Sequence, residues 1–365
     1  MRAKKQEFSF ACEKLDYYCF IDELLQAVSA LEAFKAKLQS KAIDMKTIMS
    51  SFEKKDCLMS CSMEGCQASL EDLFSLVIVE PSNKNVQLVS NCSDAMNAGR
   101  WLLSADGFSE NVFLTLYDKL CDGTARYLRN LKNRGAKCDY KDILGMFYKT
   151  ADPSAPPPYA ADNNISGELR ELSQYLNAPS DNYHPLILAA LLHAQFARIQ
   201  PFNKYNELIN RMLIPLYMFY DSDIDYPYLF ISESLSKDQP NYVRLLRKTQ
   251  NSKNWNEWVK YFLSIVAKQC RKYVVLLERL SEKYYQDRGR FEEIIKSDST
   301  VYRLINMIYI FPAFNAKLIN EASEIPMASL NRYLSALTEA GVLYTDGRKR
   351  NRIFFNSSLM SILNE

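Results

Sequence analysis

Apolar side chains recur at helical spacing along much of this chain, and this periodicity is what most constrains its fold. Two sets repeat every three or four residues: Leu24, Val28, Leu31 and Phe34, and Trp255, Trp258, Val259, Phe262, Leu263, Val266 and Cys270. Such spacing puts the side chains on one helix face, where they can pack into a core. Alternating strand patterns are few, and 10 glycines leave little for hairpin turns. We therefore predict a mainly α-helical protein.

The composition limits the class of protein and its location. A length of 365 residues allows two or three domains, and a 48% hydrophobic content supplies their cores. The net charge of +2 excludes a protein coated with basic residues, but it allows a local basic patch. The N-terminus is polar, and the longest apolar stretch, Pro185–Ile199, is too short to span a bilayer. With nine scattered cysteines, these features predict a cytoplasmic protein with no membrane partner.

Three cysteines, Cys57, Cys61 and Cys66, follow one another at roughly the spacing of helical turns. A structural zinc site needs four ligands, and no fourth Cys or His lies nearby in the sequence. We therefore predict that these thiols pack within a helix and that the protein holds no metal ion.

A proline-rich segment, Asp152–Tyr159, interrupts the helical pattern. Consecutive prolines fix φ and remove backbone donors, so this segment is predicted to be extended. We interpret it as an ordered connector between helices, with a ligand for a partner domain as the alternative.

The last part of the chain has a different pattern. Three apolar-periodic segments predict three helices: one from about Ser299 that carries Val301, Leu304, Ile305 and Ile308, one at 314–323 and one at 327–340. A two-stranded wing is then predicted around Asp346-Gly347, where the glycine suits a positive φ. This order resembles a winged helix-turn-helix. Its candidate contacts to DNA phosphates are Arg332, Arg348, Lys349, Arg350 and Arg352. Packing or dimerisation is the alternative use of such a domain, which nearby glutamates favour.

The middle of the chain carries an apolar helix followed by Gln200-Pro-Phe-Asn-Lys-Tyr-Asn-Glu-Leu-Ile-Asn-Arg211. This segment resembles the signature of the Fic family, H-P-F-x-[D/E]-G-N-G-R-x-x-R, at the junction of two helices. Upstream, Ser60-Cys-Ser-Met-Glu-Gly65 resembles the family's inhibitory helix, S-x-x-x-E-[G/N]. Three later segments resemble the helices that follow the signature: Tyr228–Ser232, Asn241–Leu246 and Asn254–Leu263. The resemblance covers nearly the whole chain.

This resemblance implies a Fic-fold helical bundle in three parts. Residues 1–112 are expected to form an N-terminal helical domain, with the inhibitory-type helix at about 54–76. Residues 113–285 are expected to form the Fic core. Residues 286–365 are expected to form the winged helix-turn-helix, which is a common arrangement in this family.

Members of the Fic family transfer AMP from ATP to a side-chain hydroxyl of a target protein. The reaction needs a general base, a ligand for Mg²⁺ and donors around the phosphates. Gln200 stands at the base position, and an amide cannot take a proton near neutral pH. Lys204 stands at the position of the acidic metal ligand, where an ammonium group repels the ion. His193 and His184 are expected to be structural.

The phosphate-binding loop also departs from the signature. Tyr205 and Glu207 replace its two glycines, adding bulk and a negative charge, and Leu208 replaces its first arginine. The remaining candidates for nucleotide contacts are Lys204, Asn206 and Arg211.

A hairpin that clamps the target as an added strand is usual in the family. Here Gly145–Thr150 runs almost directly into the proline-rich segment, and Tyr148 stands where an arginine is expected. We therefore expect this hairpin to be short or missing.

The inhibitory motif itself is retained as Ser60, Glu64 and Gly65. We predict that Glu64 and Arg211 form a salt bridge, with Ser60 contacting the signature loop. The bridge would dock the N-terminal helix on the core. Two unrelated surface charges are the alternative.

Base, metal ligand, phosphate loop and target clamp are all altered, so we predict a catalytically impaired or inactive protein that acts by binding. The expected partner is another protein, with duplex DNA or a second copy of this chain as further candidates. No cofactor is expected. One alternative is a residual or altered nucleotide-dependent adenylyltransferase, which would need ATP and Mg²⁺. Another is a transcriptional regulator that binds DNA through the winged helix.

Overall fold

Helices dominate the structure, as the apolar periodicity predicts. The computed structural model describes residues 10, 12–39, 45–81, 83–121, 165–179, 182–348 and 350–365. The proline-rich segment Asp152–Tyr159 and the hairpin segment Gly145–Thr150 lie outside the described residues. A short 3₁₀ turn, Tyr17–Cys19, precedes the first helix. The N-terminal and central helices are α1 (Ile21–Leu38), α2 (Met45–Met63), α3 (Leu70–Ser75), α4 (Lys84–Asp106), α5 (Glu110–Leu120), α6 (Ile165–Asn177), α7 (Pro185–Ile199), α8 (Asn206–Tyr220), α9 (Ser232–Ser236), α10 (Gln239–Asn251) and α11 (Asn256–Ile294).

Helix α7 lies at the centre of this bundle. Every side chain from Leu186 to Ala197 is buried, as expected for a helix that is apolar on all sides. The helix begins where the His184 side chain accepts a hydrogen bond from the Leu186 N–H, with Pro185 in the first turn. His184 is therefore an N-cap, which agrees with its predicted structural role.

Helix α1 packs along the 39-residue helix α11, so the N-terminus shares its core with the centre of the chain. Phe34 contacts Tyr273 with ring centroids 5.3 Å apart, and Lys37 pairs with Glu278 at 2.7 Å. The predicted domain boundary at 112/113 lies inside α5, and the one at 285/286 lies inside α11. Continuous helices cross both positions because apolar periodicity continues through them.

The inhibitory-type helix predicted at 54–76 is two helices, and this range is corrected. Helix α2 ends at Met63, and Gly65 then adopts a φ of +81°. Glycine reaches that left-handed conformation without strain, so it turns the chain after the helix. Helix α3 then begins at Leu70, after the N-cap Ser69, whose side chain forms a reciprocal capping box with Asp72.

The C-terminal part consists of short helices around a small sheet. Its elements are α12 (Asp298–Ile310), β1 (Ala313–Phe314), α13 (Ala316–Ser323), α14 (Met327–Glu339), β2 (Leu343–Thr345), β3 (Phe354–Asn356) and α15 (Ser357–Asn364). The strands pair antiparallel in the order β1-β3-β2, with Phe314 opposite Phe354. Gly347, in the turn between β2 and β3, has the predicted positive φ, at +75°.

This C-terminal part packs against the segment that follows α2. The Tyr344 hydroxyl donates to a carboxylate oxygen of Glu71 on α3 at 2.5 Å, and α15 contacts both α2 and α3. The N-terminal, central and C-terminal parts therefore meet around α2 and α3. Among the described helices, none combines the length and apolar character needed to cross a lipid bilayer.

Trp258 ties α11 to α7, and its removal gives a test of this core. Its indole N–H donates to the Ala190 carbonyl at 2.8 Å, and its ring stacks on His193 with centroids 5.5 Å apart. We expect Trp258→Ala to lower the free energy of unfolding by about 3–5 kcal/mol, measured by urea denaturation. Trp101→Ala is the matched control, because Trp101 is 64% exposed, and should cost less than about 1 kcal/mol. Equal losses in the two variants would contradict the central position of α7.

Candidate ligand pocket at the junction of two buried helices

The first residues of the signature segment form the loop that joins α7 to α8, as predicted. The residues at the two ends of this loop both have left-handed backbone conformations. Gln200 ends α7 with φ 43°, and Tyr205 precedes α8 with φ 65°. A residue with a Cβ pays a conformational cost of about 1–2 kcal/mol for this geometry. Tyr205 thus keeps the backbone conformation that glycine would supply more easily at this position.

Asn206 holds the loop in this conformation from inside. Its Oδ1 accepts from the Phe202 N–H at 3.0 Å, and its Nδ2 donates to the Phe202 carbonyl at 2.6 Å. Phe202 is buried and stacks on Tyr117 of α5, with ring centroids 4.4 Å apart. Both polar groups of the Asn206 side chain therefore serve the loop, so its predicted role as a nucleotide contact receives no support from this geometry.

Gln200, at the position of the family's base, is exposed at the end of α7. Its amide nitrogen lies 3.5 Å from Glu207 Oε1, at the long limit of a hydrogen bond. Lys204 is exposed at the tip of the loop, with its ammonium group 4.8 Å from the Tyr205 ring centroid. These two side chains offer an amide and an ammonium group, so they supply neither a proton acceptor at neutral pH nor an oxygen ligand from a carboxylate.

Arg211 is the polar centre of the site. Its Nε donates to Ser60 Oγ at 2.7 Å, and its Nη2 donates to the Ser60 carbonyl at 3.1 Å and to Glu64 Oε1 at 2.7 Å. The side chain of Arg211 is 2% exposed, whereas that of Glu64 is 40% exposed. The predicted Glu64–Arg211 salt bridge is confirmed. Ser60 contacts the Arg211 side chain on α8 rather than the loop, which corrects that detail.

A cavity of about 260 Å³ lies beside this salt bridge. The ends of α2 and α7, the first two turns of α8 and one face of α10 line it. Of the three predicted nucleotide contacts, only Arg211 lines the cavity. Its other lining residues are Met63, Glu64, Gln200, Glu207, Gln239, Tyr242, Val243, Leu246, Arg247 and Gln250.

The contribution of α10 is the part of the site that the sequence interpretation missed. Gln239, Tyr242, Leu246 and Gln250 recur at helical spacing, so the sequence does predict that they share a face. The sequence does not show which way this face points, because that depends on how α10 packs against the other helices. The Gln250 amide donates to the Ala197 carbonyl at 3.0 Å, which holds this face against the end of α7.

Glu207 adds a carboxyl group to the cavity wall. Burial raises the pKa of Glu207 above its ordinary value, and the negative charge of Glu64 raises it further, whereas Arg211 and Arg247 act to lower it. Two carboxyl groups thus face the space beside Arg211. A phosphate group there would meet repulsion from both of them.

His193, the other histidine near the loop, is buried in α7. Its Nδ1 donates to the Asn210 carbonyl at 3.2 Å, so its Nε2 accepts from the Tyr242 hydroxyl at 2.9 Å. Burial and the Arg211 charge lower the pKa of His193 to about 3. The neutral ring is fully hydrogen-bonded, which agrees with its predicted structural role and makes it unsuited to act as a substitute base.

The sequence places no fourth Cys or His near Cys57, Cys61 and Cys66, but the fold brings a fourth cysteine close to them. Cys92 of α4 approaches Cys61, with the two sulfur atoms 3.4 Å apart. Cys57, Cys61 and Cys66 come from α2 and the turn after it. Within the described ranges, no group of three or more His, Cys, Asp or Glu side chains is arranged to hold a metal ion.

The predicted DNA contacts lie apart from the cavity, on the C-terminal part. Arg332 is exposed on α14, with its guanidinium 5.2 Å from the Tyr333 ring centroid. Arg348, Arg350 and Arg352 are exposed in the turn between β2 and β3, where Arg348 pairs with Asp346 at 3.2 Å. Lys349 lies outside the described residues.

Comparison with known proteins decides the family of the central region. A sequence profile of the Fic/DOC family matches residues 108–218, which include α5, α7, the loop and most of α8. Residues 108–218 are a Fic/DOC domain. The cavity beside its signature loop is closed by segments that lie outside the matched range, namely α2 on one side and α10 on the other.

Solved structures extend this likeness beyond the Fic domain. A Fic family protein from Desulfovibrio desulfuricans G20 superposes with a TM-score of 0.56 at 13% identity, covering 96% of this chain and 98% of that one. A Fic domain containing signaling protein from Bacteroides thetaiotaomicron gives 0.49 at 15% identity, covering 71% and 98%. Fic-1 from C. elegans, residues 134–508, gives 0.45 at 16%, covering 70% and 71%. The first likeness shows that this chain has the Fic fold over nearly its whole length.

The low pKa of His193 generates a prediction about stability in acid. Because the folded protein binds this proton less readily than the unfolded chain, stability is lost as the pH falls from about 6.5 towards 3. Over that window, this group alone removes up to about 1.4 kcal/mol for each pH unit. We expect His193→Gln to flatten the pH dependence of the free energy of unfolding, measured by urea denaturation between about pH 4.5 and 6.5. His184→Gln, at a half-buried site, should retain most of the slope.

Proposed function

We propose that this Fic-domain protein does not transfer AMP and acts instead by binding, with Arg211 on α8 serving as the docking point for α2. The observation that carries this proposal is the engagement of Arg211. In the Fic family this arginine is a phosphate donor, and here its guanidinium donates to both oxygens of Ser60 and to Glu64. Its side chain is 2% exposed and its donors are engaged, so a phosphate group could bind it only by replacing the contacts with Ser60 and Glu64.

The residues present do not fit ATP with Mg²⁺. Lys204 stands where the family has an acidic metal ligand, and Glu207 adds a carboxyl group beside the phosphate position. The cavity of about 260 Å³ is below the roughly 300–1,000 Å³ of pockets that enclose drug-sized ligands. These observations count against ATP as the ligand of this site. Action by binding a partner, in the reducing cytoplasm that the cysteine content predicts, is the alternative that we propose.

The test is incubation of the reduced protein with labelled ATP and Mg²⁺, alone and with a cell lysate. We expect no label on the protein itself or on any other chain. Millimolar ATP should leave the melting temperature unchanged, because a ligand that does not bind the folded state does not stabilise it. Transfer of AMP by the unaltered chain would overturn the proposal in favour of a residual adenylyltransferase.

Variants of the loop sharpen this experiment. Gln200→His restores a base alone, and we expect no activity from it because Glu207 and the engaged Arg211 still exclude the phosphates. Combining it with Lys204→Asp, Tyr205→Gly, Glu207→Gly, Leu208→Arg and Glu64→Gly restores the family pattern and releases Arg211. Nucleotide binding by the combined variant only, detected as a shift of melting temperature, is the expected result. Activity from Gln200→His alone would mean that the loop is less obstructed than we propose.

A second candidate function, DNA binding, is favoured by the exposed face of the C-terminal part. Helix α14 exposes Asn331, Arg332 and Ser335, which are short or hydrogen-bonding side chains suited to base edges. The basic turn between β2 and β3 is also exposed and could contact phosphates. The order of helices and strands supports a winged helix, in which a helix enters the major groove and the wing contacts the backbone.

A salt titration with a mixed-sequence DNA duplex tests this candidate. Replacing Arg348, Lys349, Arg350 and Arg352 with alanine should weaken binding and reduce the slope of log K against log salt by about 0.9 for each lost phosphate contact. The matched control replaces four exposed lysines elsewhere: Lys14, Lys248, Lys253 and Lys260. If both variants lose affinity equally, the attraction is general and the wing is not the contact surface.

A further inference from the structure

A group of thiols lies inside the protein one residue away from the Arg211 contact. Cys61 on α2 and Cys92 on α4 are both 0% exposed, and their sulfur atoms are 3.4 Å apart. Cys57 lies one helical turn before Cys61 and hydrogen-bonds with Cys92. Cys66 hydrogen-bonds with Cys61 and donates to the Asn85 carbonyl at 3.4 Å. Four cysteines, spread over 36 positions of sequence from Cys57 to Cys92, thus meet in one place.

The distance between Cys61 and Cys92 is close to what a disulfide needs. A disulfide bond is about 2.05 Å long, so the sulfur atoms need to approach by roughly 1.4 Å. Both side chains belong to helices that already pack against each other. We propose that Cys61 and Cys92 form a reversible disulfide when the protein meets a peroxide, and that this bond fixes α2 to α4.

The chemistry balances with hydrogen peroxide as the oxidant. One thiolate of the pair attacks peroxide, which gives a sulfenic acid and, after proton transfer, one water. The other thiolate attacks the sulfenic sulfur, forms the S–S bond and releases hydroxide, which takes the remaining thiol proton and becomes the second water. Two thiols and one hydrogen peroxide therefore give one disulfide and two waters. The two electrons lost by sulfur reduce the peroxide bond.

The surroundings of the pair set the rate at which it reacts. Hydrogen bonds to Cys57 and Cys61, together with burial, raise the pKa of Cys92 well above its ordinary value. The hydrogen bond with Cys92 acts to lower the pKa of Cys57, but burial and the nearby Glu53 and Asp56 raise it to about 11. Thiols of this kind stay protonated at neutral pH and react slowly. Oxidation is thus expected over minutes to hours, through local opening at the less buried edge beside Cys66.

The position of the pair explains why the bond would matter. Cys61 follows Ser60 and precedes Glu64 by three residues on the segment that engages Arg211. A cross-link at Cys61 would hold that segment in place even where Glu64, at 40% exposure, loses its contact. In the reduced protein, the same segment is held by noncovalent contacts alone and can separate from the core by local unfolding.

The experiment treats the full chain with hydrogen peroxide, blocks the remaining thiols and maps peptides under non-reducing conditions. We expect a Cys61–Cys92 cross-linked peptide that dithiothreitol removes, and a melting temperature higher by a few degrees in the oxidised protein. Oxidation of the exposed thiol Cys19 confirms that the dose was effective. Backbone amides at 58–66 should exchange more slowly with solvent after oxidation, because α2 can no longer open.

Three alanine variants make the result specific. Cys61→Ala and Cys92→Ala should each abolish the cross-link, and either one suffices if the other fails to fold. Cys270→Ala is the matched control, since Cys270 is a fully buried thiol on α11, and it should leave the cross-link intact. Oxidation of Cys19 with no Cys61–Cys92 peptide, or a cross-link of Cys92 to Cys57, would overturn the proposal. A Cys61–Cys92 bond without slower exchange at 58–66 would overturn the claim that it fixes α2.

Discussion

A buried guanidinium group needs a counter-charge and acceptors for its N–H groups, and Arg211 obtains these from another part of the chain. Ser60 supplies its hydroxyl and carbonyl oxygens and Glu64 supplies its carboxylate, so α8 cannot bury Arg211 unless α2 lies against it. Because Glu64 remains 40% exposed, its ionic contribution is weakened by solvent. The two Ser60 contacts are shielded from solvent, so they are the stronger part of what this segment supplies to Arg211.

A second set of polar contacts fixes the same helix to α9. The Ser232 N–H donates to Asp56 Oδ1 at 2.7 Å, and Lys55 pairs with Glu233 at 3.3 Å. Burial raises the pKa of Asp56 to about 7, although the hydrogen bonds from Ser232 and the charge of Arg211 act to lower it. Either form of the Asp56 side chain can accept from a backbone N–H, so this contact persists through neutral pH. Helix α2 is thus held at three points along its length.

The sequence predicted the parts of this site that depend on local pattern. The apolar run of α7 and the position of the loop follow from periodicity, and the pairing of Glu64 with Arg211 follows from two motifs of one resemblance. What the sequence could not supply is the direction of side chains. Asn206 and Lys204 were assigned to a ligand, yet Asn206 binds the loop itself and Lys204 lies over a ring. Cys92 stands 31 positions from Cys61, so only packing brings the two together.

Within the loop, the residues that fix the backbone conformation differ from the residue at the family's base position. Tyr205 keeps a φ of 65° without glycine because Asn206 clamps Phe202 from inside and Phe202 is anchored on α5. The strain at Tyr205 is therefore offset by contacts within the loop and the core, independently of any bound nucleotide. Gln200, at the position of the family's base, is exposed, so the identity of this side chain matters little to the stability of the scaffold. The helix junction beside which α2 docks therefore does not depend on which side chain occupies the base position.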